Sequence, residues 1–387
     1  MKCILKGRIG DYMLKDLFCV VGLGQAGGKM TKEFYNNKYR TFLINTSYQD
    51  LEVLNVKNDL MYHIPSAHGC AKIRERAIEY AKEYYEDIIG KLLDTHPTAR
   101  IFLVHFSLGG GTGGGLANIL MSLLHHTLTE RGITDFTIIP VGAKPKKYES
   151  YKIQMNSIQC LKEMYSLYED EIIGQYYIID NDSRNDLDEI NEENALLFDR
   201  WIQGELTNND NNADESERTD LFSCRGSAMM FQFDGKDIEN FSTNMKEEYE
   251  KSIYYIASKK PSSVGMALND NLEQAKAFES IEETVGYYSN NHITPTKESN
   301  MLMICGIEDE IPSADKSDEK TEKKRKIIND IQKIANEKAE KINGGNNIDE
   351  VEEVIAVDIN NTKSTSTKEN KSPKKNISYK DIMDRFK

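Results

Sequence analysis

Two short stretches carry residue types and spacings that could do chemistry. Gly22-Leu23-Gly24-Gln25-Ala26-Gly27 is a GxGxxG run set between an apolar segment and a helical one. Glycines in that setting let backbone N–H groups approach a phosphate at a helix N-terminus, which makes Gly22, Gly24, Gln25, Ala26 and Gly27 candidate binding residues. Dinucleotide enzymes use the same device, but they place an Asp or Glu about 20 residues on to hold the ribose. Here that place is Asn45-Thr46-Ser47, which argues against a dinucleotide. The second stretch is Gly109-Gly110-Gly111-Thr112-Gly113-Gly114-Gly115, with glycine at six of seven positions. Such a run between a strand and an apolar helix is costly in backbone entropy and implies a ligand. A nest of amides wrapping two phosphates, with the Thr112 hydroxyl as a further donor, accounts for it. No GK[ST] follows, so it is not a Walker loop.

The elements that must position these loops read as alternating strands and helices. Strands are expected over 17–21, 41–45, 101–106, 136–141 and 176–180. Helices are expected from Gly28, over 73–93, 116–129 and 153–168. Apolar runs without alternation, separated by helices, predict an α/β fold with a parallel sheet covered on both faces. Ligands in such folds sit beyond the carboxyl ends of the strands. The stripe Ile190, Leu197, Trp201, Ile202 predicts one long buried helix to about residue 206. A polar loop over 207–220 follows. Strands over 228–233, 264–268 and 301–307, interleaved with helices over 244–258 and 272–288, then form a smaller mixed α/β unit. Residues 323–342 place Ile327, Ile328, Ile331, Ile334 and Ile342 on one helical face, stopped by Gly344-Gly345. That helix either packs on the body or binds a partner. The remainder reads as disordered and ends in lysine-bearing segments.

Composition limits the function classes. A chain of 387 residues fits two packed domains plus appendages. Its net charge of -14 argues against broad binding to nucleic acid or acidic membranes. The six cysteines are scattered without CxxC pairs, as expected of reduced core thiols in a cytoplasm. The seven histidines form no ligand set, and His105, inside an apolar run, reads as a core histidine rather than a metal ligand. No segment approaches the ~18 apolar residues of a membrane span, and no signal peptide is evident.

These motifs, in order over about residues 17–310, resemble the tubulin/FtsZ superfamily, whose signature GGGTG[ST]G is met here with Gly114 in place of Ser/Thr. Asn45-Thr46-Ser47-Tyr48-Gln49 is similar to NTDxQ, with Ser47 where the family has Asp. His68-Gly69-Cys70-Ala71 resembles the short loop that senses the γ-phosphate. Lys144-Pro145 followed by Glu149 resembles KPFxFE, whose glutamate holds the ribose. Ile179-Asp180-Asn181-Asp182 resembles the strand-end segment that contacts sugar and base. The resemblance implies a guanine-reading asparagine on the next helix, and Asn191 and Asn194 both qualify. A carboxamide suits guanine because it donates to O6 while accepting from the N1/N2 edge. Asn212-Ala213-Asp214-Glu215-Ser216-Glu217 resembles the NxDxxD loop, with Gly226-Ser227-Ala228-Met229-Met230 at the spacing of GxAMM. In the family that loop enters the neighbouring subunit's nucleotide pocket and polarises the attacking water, which makes Asn212, Asp214 and Glu217 the implied catalytic residues.

The resemblance therefore implies a GTPase that binds GTP/GDP with Mg2+, assembles head to tail, and offers no confident side-chain metal ligand. Its implied layout is an N-terminal arm (1–16), a Rossmann-like GTP-binding domain (17–188), a central helix (189–206), an activation domain with the catalytic loop (207–310), a C-terminal amphipathic helix (315–343) and a flexible basic-ended tail (344–387). An apolar DxPxFLR-like terminal peptide is missing, and the helix-plus-lysine tail is similar to the plasmid- and phage-borne TubZ branch. That branch implies DNA segregation in the bacterial host cytoplasm, with the tail engaging a DNA-binding adaptor of TubR type, no direct specific DNA binding and no membrane. The alternatives are an FtsZ-like cell-division or phage-positioning filament, and a nucleotide-binding enzyme or NAD-dependent dehydrogenase without a polymer.

Overall fold

The computed structural model describes residues 14–183, 186–203, 214–233, 237–253, 263–269, 272–285, 290–296, 300–307 and 378–386. Six strands pair in parallel, all but the three-residue β3 on apolar runs: β1 (Phe18–Leu23), β2 (Arg40–Asn45), β3 (Met61–His63), β4 (Ile101–Ser107), β5 (Thr137–Lys144) and β6 (Gln175–Asp180). Their order is β3-β2-β1-β4-β5-β6, and the sheet continues through β7 (Gly226–Phe233), β10 (Asn300–Ile307), β8 (Ser263–Asn269) and β9 (Asn290–Thr296) to ten strands. β7 continues the parallel set through two residue pairs, whereas β10 runs antiparallel to both β7 and β8.

The side-chain period of two sends alternate residues of β1 and β4 to different cores. Cys19, Val21, Phe102 and Val104 pack under α4 (Arg74–Thr95), α5 (Thr112–Glu130) and α6 (Tyr151–Glu169). Phe18, Val20, Ile101 and Leu103 pack under α7 (Leu187–Gln203) and α8 (Glu215–Ser223). Both faces are thus covered, which is why the strands show no polar alternation. α7 carries the fully buried Trp201, whose ring lies 3.0 Å from where a Cβ on Gly265 of β8 would stand. This helix therefore ties the parallel half of the sheet to the mixed half. Truncating such an indole costs about 3–5 kcal/mol. A third core joins β7, β8 and β10 to α9 (Ile238–Ile253) and α10 (Gln274–Val285).

The structure departs from the sequence reading in several places. α2 (Gly24–Asn36) and α5 begin inside the glycine loops rather than after them. α3 (Tyr48–Glu52), β3 and β9 are elements the apolar pattern does not predict, and the described end of the loop expected over 207–220 is instead the start of α8, capped by Asp214. The last described residues of the supposed tail, Tyr379–Arg385, form α11, packed on the body. Of the expected arm (1–16), only residues 1–13 lie outside the described residues: Leu14–Leu17 form α1, with Leu14 and Leu17 buried in the second core. The helix over 323–342 and the lysine-rich segment before residue 378 also lie outside the described residues. Among the described cysteines, Cys19, Cys70, Cys160 and Cys305 are buried free thiols and Cys224 is half-buried.

His105 is a core residue, fully buried with Nδ1 3.1 Å from Thr31 Oγ1. Burial lowers its pKa from 6.5 to about 3. Below pH 6.5 the unfolded chain takes up a proton that the folded chain refuses. Stability is therefore lost as pH falls through the 6.5-to-3 window, at about 1.4 kcal/mol per pH unit. Urea unfolding at about pH 5.5 and 7.5 should differ by about 1 kcal/mol from this residue, and the His105→Gln variant should lose that part of the slope.

Candidate functional site

The carboxyl ends of β1, β2 and β4 bring the predicted loops together. Gly24 opens α2 with φ +69, and a Cβ there would stand 2.9 Å from the Gly113 amide nitrogen. Thr112 Oγ1 lies 2.7 Å from Thr46 Oγ1, and the Gly69 amide donates to the Thr46 carbonyl at 2.8 Å. Asn45 Oδ1 accepts from the Thr46 and Ser47 amides at 2.8 and 3.2 Å, which fixes the corner after β2. Its buried Nδ2 has no hydrogen-bond partner. Gln25 and Ala26 are exposed in the first turn of α2. Neither α2 nor α5 has a side-chain cap or an acid in its first turn. Two helix N-termini with unanswered amides therefore converge at one rim, an arrangement that favours an anion.

The glycines have a second reason to be there. A Cβ would meet the Leu23 carbonyl oxygen at 2.8 Å from Gly113, the Leu108 carbonyl oxygen at 2.6 Å from Gly114, and Ile153 Cγ2 at 2.5 Å from Gly109. Gly111 faces Lys72 Cα at 2.7 Å, and Lys72 and Ala71 both hold positive φ. Gly27, read as a phosphate contact, lies under β4, with the His105 carbonyl oxygen 2.2 Å from its would-be Cβ, and it lets α2 pack against the strand. Gly110 alone in the 109–115 run has no protein atom closer than 3.6 Å to that position. Close backbone packing, as well as a ligand, thus accounts for the run.

The next two strand ends extend the rim. Lys144 Nζ bridges Asp180 Oδ1 at 3.0 Å and Asp182 Oδ2 at 3.8 Å, and Asn181 is half-buried between those two acids. Glu149 Oε1 accepts from the Lys146 amide at 3.0 Å and closes its own turn. α7 descends beside α2: Asp188 meets Lys29 at 3.6 Å near the rim, and Asp199 accepts from Tyr39 at 2.6 Å near the opposite end. Asn191 and Asn194 sit on its upper half. Asn194 Nδ2 is buried without a partner, which Asn191 does not share.

The acids lie at the other end. Asp214 caps α8: its Oδ1 accepts from the Glu217 amide at 2.8 Å, while Glu217 Oε2 accepts from the Asp214 amide at 2.9 Å. α8 is fixed by Gln175, the first residue of β6, which donates to the Leu221 carbonyl at 2.8 Å. Phe222 packs edge-on against Phe18, the first residue of β1, at 5.2 Å. The strands between rise about 3.3 Å per residue, so the two ends stand roughly 20 Å apart. At about 1.5 Å per helical residue Asp214 lies within roughly 12 Å of Phe222, which keeps it short of the glycine rim of its own chain. Asn212 lies outside the described residues.

Sequence reasoning missed Arg74. Its guanidinium is fully buried, donates from Nε and Nη2 to the Gly114 carbonyl at 3.1 and 2.9 Å, and pairs with Glu163 at 2.5 Å. Asn118 Nδ2 supports Glu163 at 3.1 Å. Nothing in the one-dimensional pattern marks an arginine at the head of a charged helix as buried.

Comparison with known proteins agrees with this geometry. Residues 18–189 match the family described as Tubulin/FtsZ family, GTPase domain. The chain carries a tubulin/FtsZ-family GTPase domain, and its enzyme class is GTPase. The chain is also similar to the tubulin-like protein TubZ of Clostridium botulinum C phage, at 26% identity over 298 residues, spanning 76% of this chain and 80% of that protein. The crystal structure of Clostridium botulinum phage c-st TubZ matches with TM-score 0.68 at 25% identity, over 82% of this chain and 99% of that one. A GTPγS-form protofilament of Bacillus thuringiensis serovar israelensis TubZ matches with TM-score 0.63 at 15% identity, over 88% and 94% of the two chains, a likeness of fold alone. Among the described residues no helix is long and apolar enough to cross a membrane, and no cluster of His, Cys, Asp and Glu would hold a metal.

Proposed function

We propose that this chain is a polymerising GTPase whose protomers stack head to tail, each completing the hydrolytic site of its neighbour. The observation that carries this reading is the polarity of the protomer: converging uncapped helix N-termini at one end of the sheet, and the Asp214–Glu217 pair at the other. A contact joining unlike ends is heterologous, and when it does not close it makes a filament.

In this reading the amides of Gly22, Gly24, Gln25, Ala26 and Gly109–Gly114 hold the phosphates, with the paired Thr46 and Thr112 hydroxyls at the same rim. Gly69 and its strained neighbours line the γ-phosphate side. The unpartnered Asn45 Nδ2 fits an acceptor supplied by the nucleotide, because a buried donor is costly when left unmade. Glu149 and Asn181 serve the ribose side. The guanine O6 takes its donor from α7, and the unpartnered Nδ2 favours Asn194 over Asn191. Mg2+ would rest mainly on phosphate oxygens and water, as that ion commonly does. The neighbour's Asp214 carboxylate, with Glu217 and Asn212, orients and polarises the attacking water. The rim thus binds and the opposite end triggers, so hydrolysis follows assembly.

The cellular role we assign is segregation of plasmid or phage DNA in the host cytoplasm, with a TubR-type adaptor engaging the C-terminal region. The phage source of one relative supports the setting and the protofilament of another supports the filament, while the cargo and the adaptor rest on the sequence resemblance. GTP turnover measured against protein concentration tests the enzymatic core. The expected result is a sharp concentration threshold with GTP, none with ATP, and loss of turnover in Thr112→Ala. Turnover per protomer that is flat across concentration contradicts a shared site.

A further inference from the structure

The most C-terminal described segment is helical although it has no means to be so alone. α11 has seven residues, far below the length at which an isolated helix persists in water. Its capping box, in which Ser378 and Asp381 exchange hydrogen bonds, supplies part of the missing stability. The rest comes from the body. Ile382 and Phe386 are 3% and 6% exposed and belong to the core beneath α4, α5 and α6, with Met383 packed beside them. Tyr379 stacks on Tyr85 of α4 at 4.9 Å. Lys82 of α4 donates to the Phe386 carbonyl at 3.0 Å, and Arg385 pairs with Asp170 at the end of α6. Positions 379, 382, 383 and 386 form the i, i+3, i+4, i+7 face by which an amphipathic helix seats in a groove.

We propose that the groove between α4, α5 and the end of α6 is a peptide-docking site whose ligand is this chain's own terminal helix, seated in cis as a latch. This goes beyond the nucleotide reading and does not depend on it. Two observations favour the chain's own segment over a second copy. The residues joining Ile307 to Ser378 give a contour of roughly 200 Å, more than enough to reach the groove from the end of β10. A tethered ligand also has an effective concentration of order millimolar, well above that of a second chain in dilute solution. Charge adds to the fit: Arg385 pairs with Asp170, and the surface of α4 beside the stacked Tyr85 carries the exposed acids Glu83, Glu86 and Asp87. The consequence is regulatory. A partner that grips Ile382, Met383 and Phe386 must first lift them from the body, so presentation of the terminal segment is conditional.

The full-length chain tests this directly. A chain carrying Asp170→Cys and Arg385→Cys is treated with a short bis-maleimide, with the unsubstituted chain as the blank for native thiols. The expected product is an internally linked monomer whose yield is unchanged by about tenfold dilution, and a mixture of the two single-cysteine chains gives no linked pair. Linked dimers from that mixture, at a yield matching the double variant, overturn the cis latch in favour of exchange between copies. In hydrogen exchange, Phe386→Asp should speed the amides of Tyr379–Arg385 by at least about tenfold while the β-sheet amides stay protected, since the helix is peripheral. Unchanged exchange in that variant also overturns the proposal.

Discussion

Replacing Asp214 by Asn should leave the protein folded and nucleotide-bound but lower assembly-coupled GTP turnover by about 10²- to 10⁴-fold, the usual worth of a positioned acid or base. The geometry makes this substitution cleaner than Asp214→Ala. Asp214 caps α8, and Asn caps about as well as Asp, so the helix entry survives. Alanine removes both functions and adds about 1 kcal/mol of lost capping, which would confuse a catalytic effect with local fraying. The same reasoning selects Glu217→Gln, since Gln can complete the reciprocal bond to the Asp214 amide. Filaments of Asp214→Asn should persist once formed, because the triphosphate is held but not cleaved. Turnover at the rate of the unsubstituted chain would reduce Asp214 to a helix cap.

The second large effect is expected at Arg74. Arg74→Met keeps the side-chain length but leaves the Gly114 carbonyl without its two donors and Glu163 without its cation. Removing one partner from a buried pair costs about 3–5 kcal/mol, and urea unfolding should report a loss of that size. Arg74→Lys should fall between, because an ammonium restores the charge but not the planar fork that holds Gly114 and Glu163 together. Nucleotide affinity should fall in parallel, since the unpinned carbonyl lies in the first turn of α5, within the glycine rim. A Met variant as stable as the unsubstituted chain would show that the glycine loop holds its own shape.

Much of the parallel sheet was legible because its strands are continuous apolar runs and its loops are glycine-rich. β4 and β5 sit where residues 101–106 and 136–141 predict them, and the loops emerge at the carboxyl ends of β1 and β4. The reading failed where a signal was short or polar. β3 has three residues and α3 five, too few for any period to register. α8 has almost no apolar periodicity, although the Asp-x-x-Glu spacing at 214–217 was a capping signature in plain view. α11 was hidden in a lysine-bearing segment, and its Ser378-x-x-Asp381 cap was the only local cue. The glycine run was read through its ligand, whereas Gly109, Gly111, Gly113 and Gly114 are also demanded by backbone crowding. Crowding, burial of Arg74 and the separation of the acids from the rim depend on three-dimensional approach, which no spacing encodes.

The shared site is tested most directly by mixing two inactive chains. Asp214→Asn keeps an intact glycine rim, and Thr112→Ala keeps intact acids. In a head-to-tail stack of an equal mixture, roughly a quarter of junctions join a good rim to good acids. The account predicts that the mixture regains GTP turnover well above the sum of the two chains measured apart. A mixture no more active than that sum would contradict it.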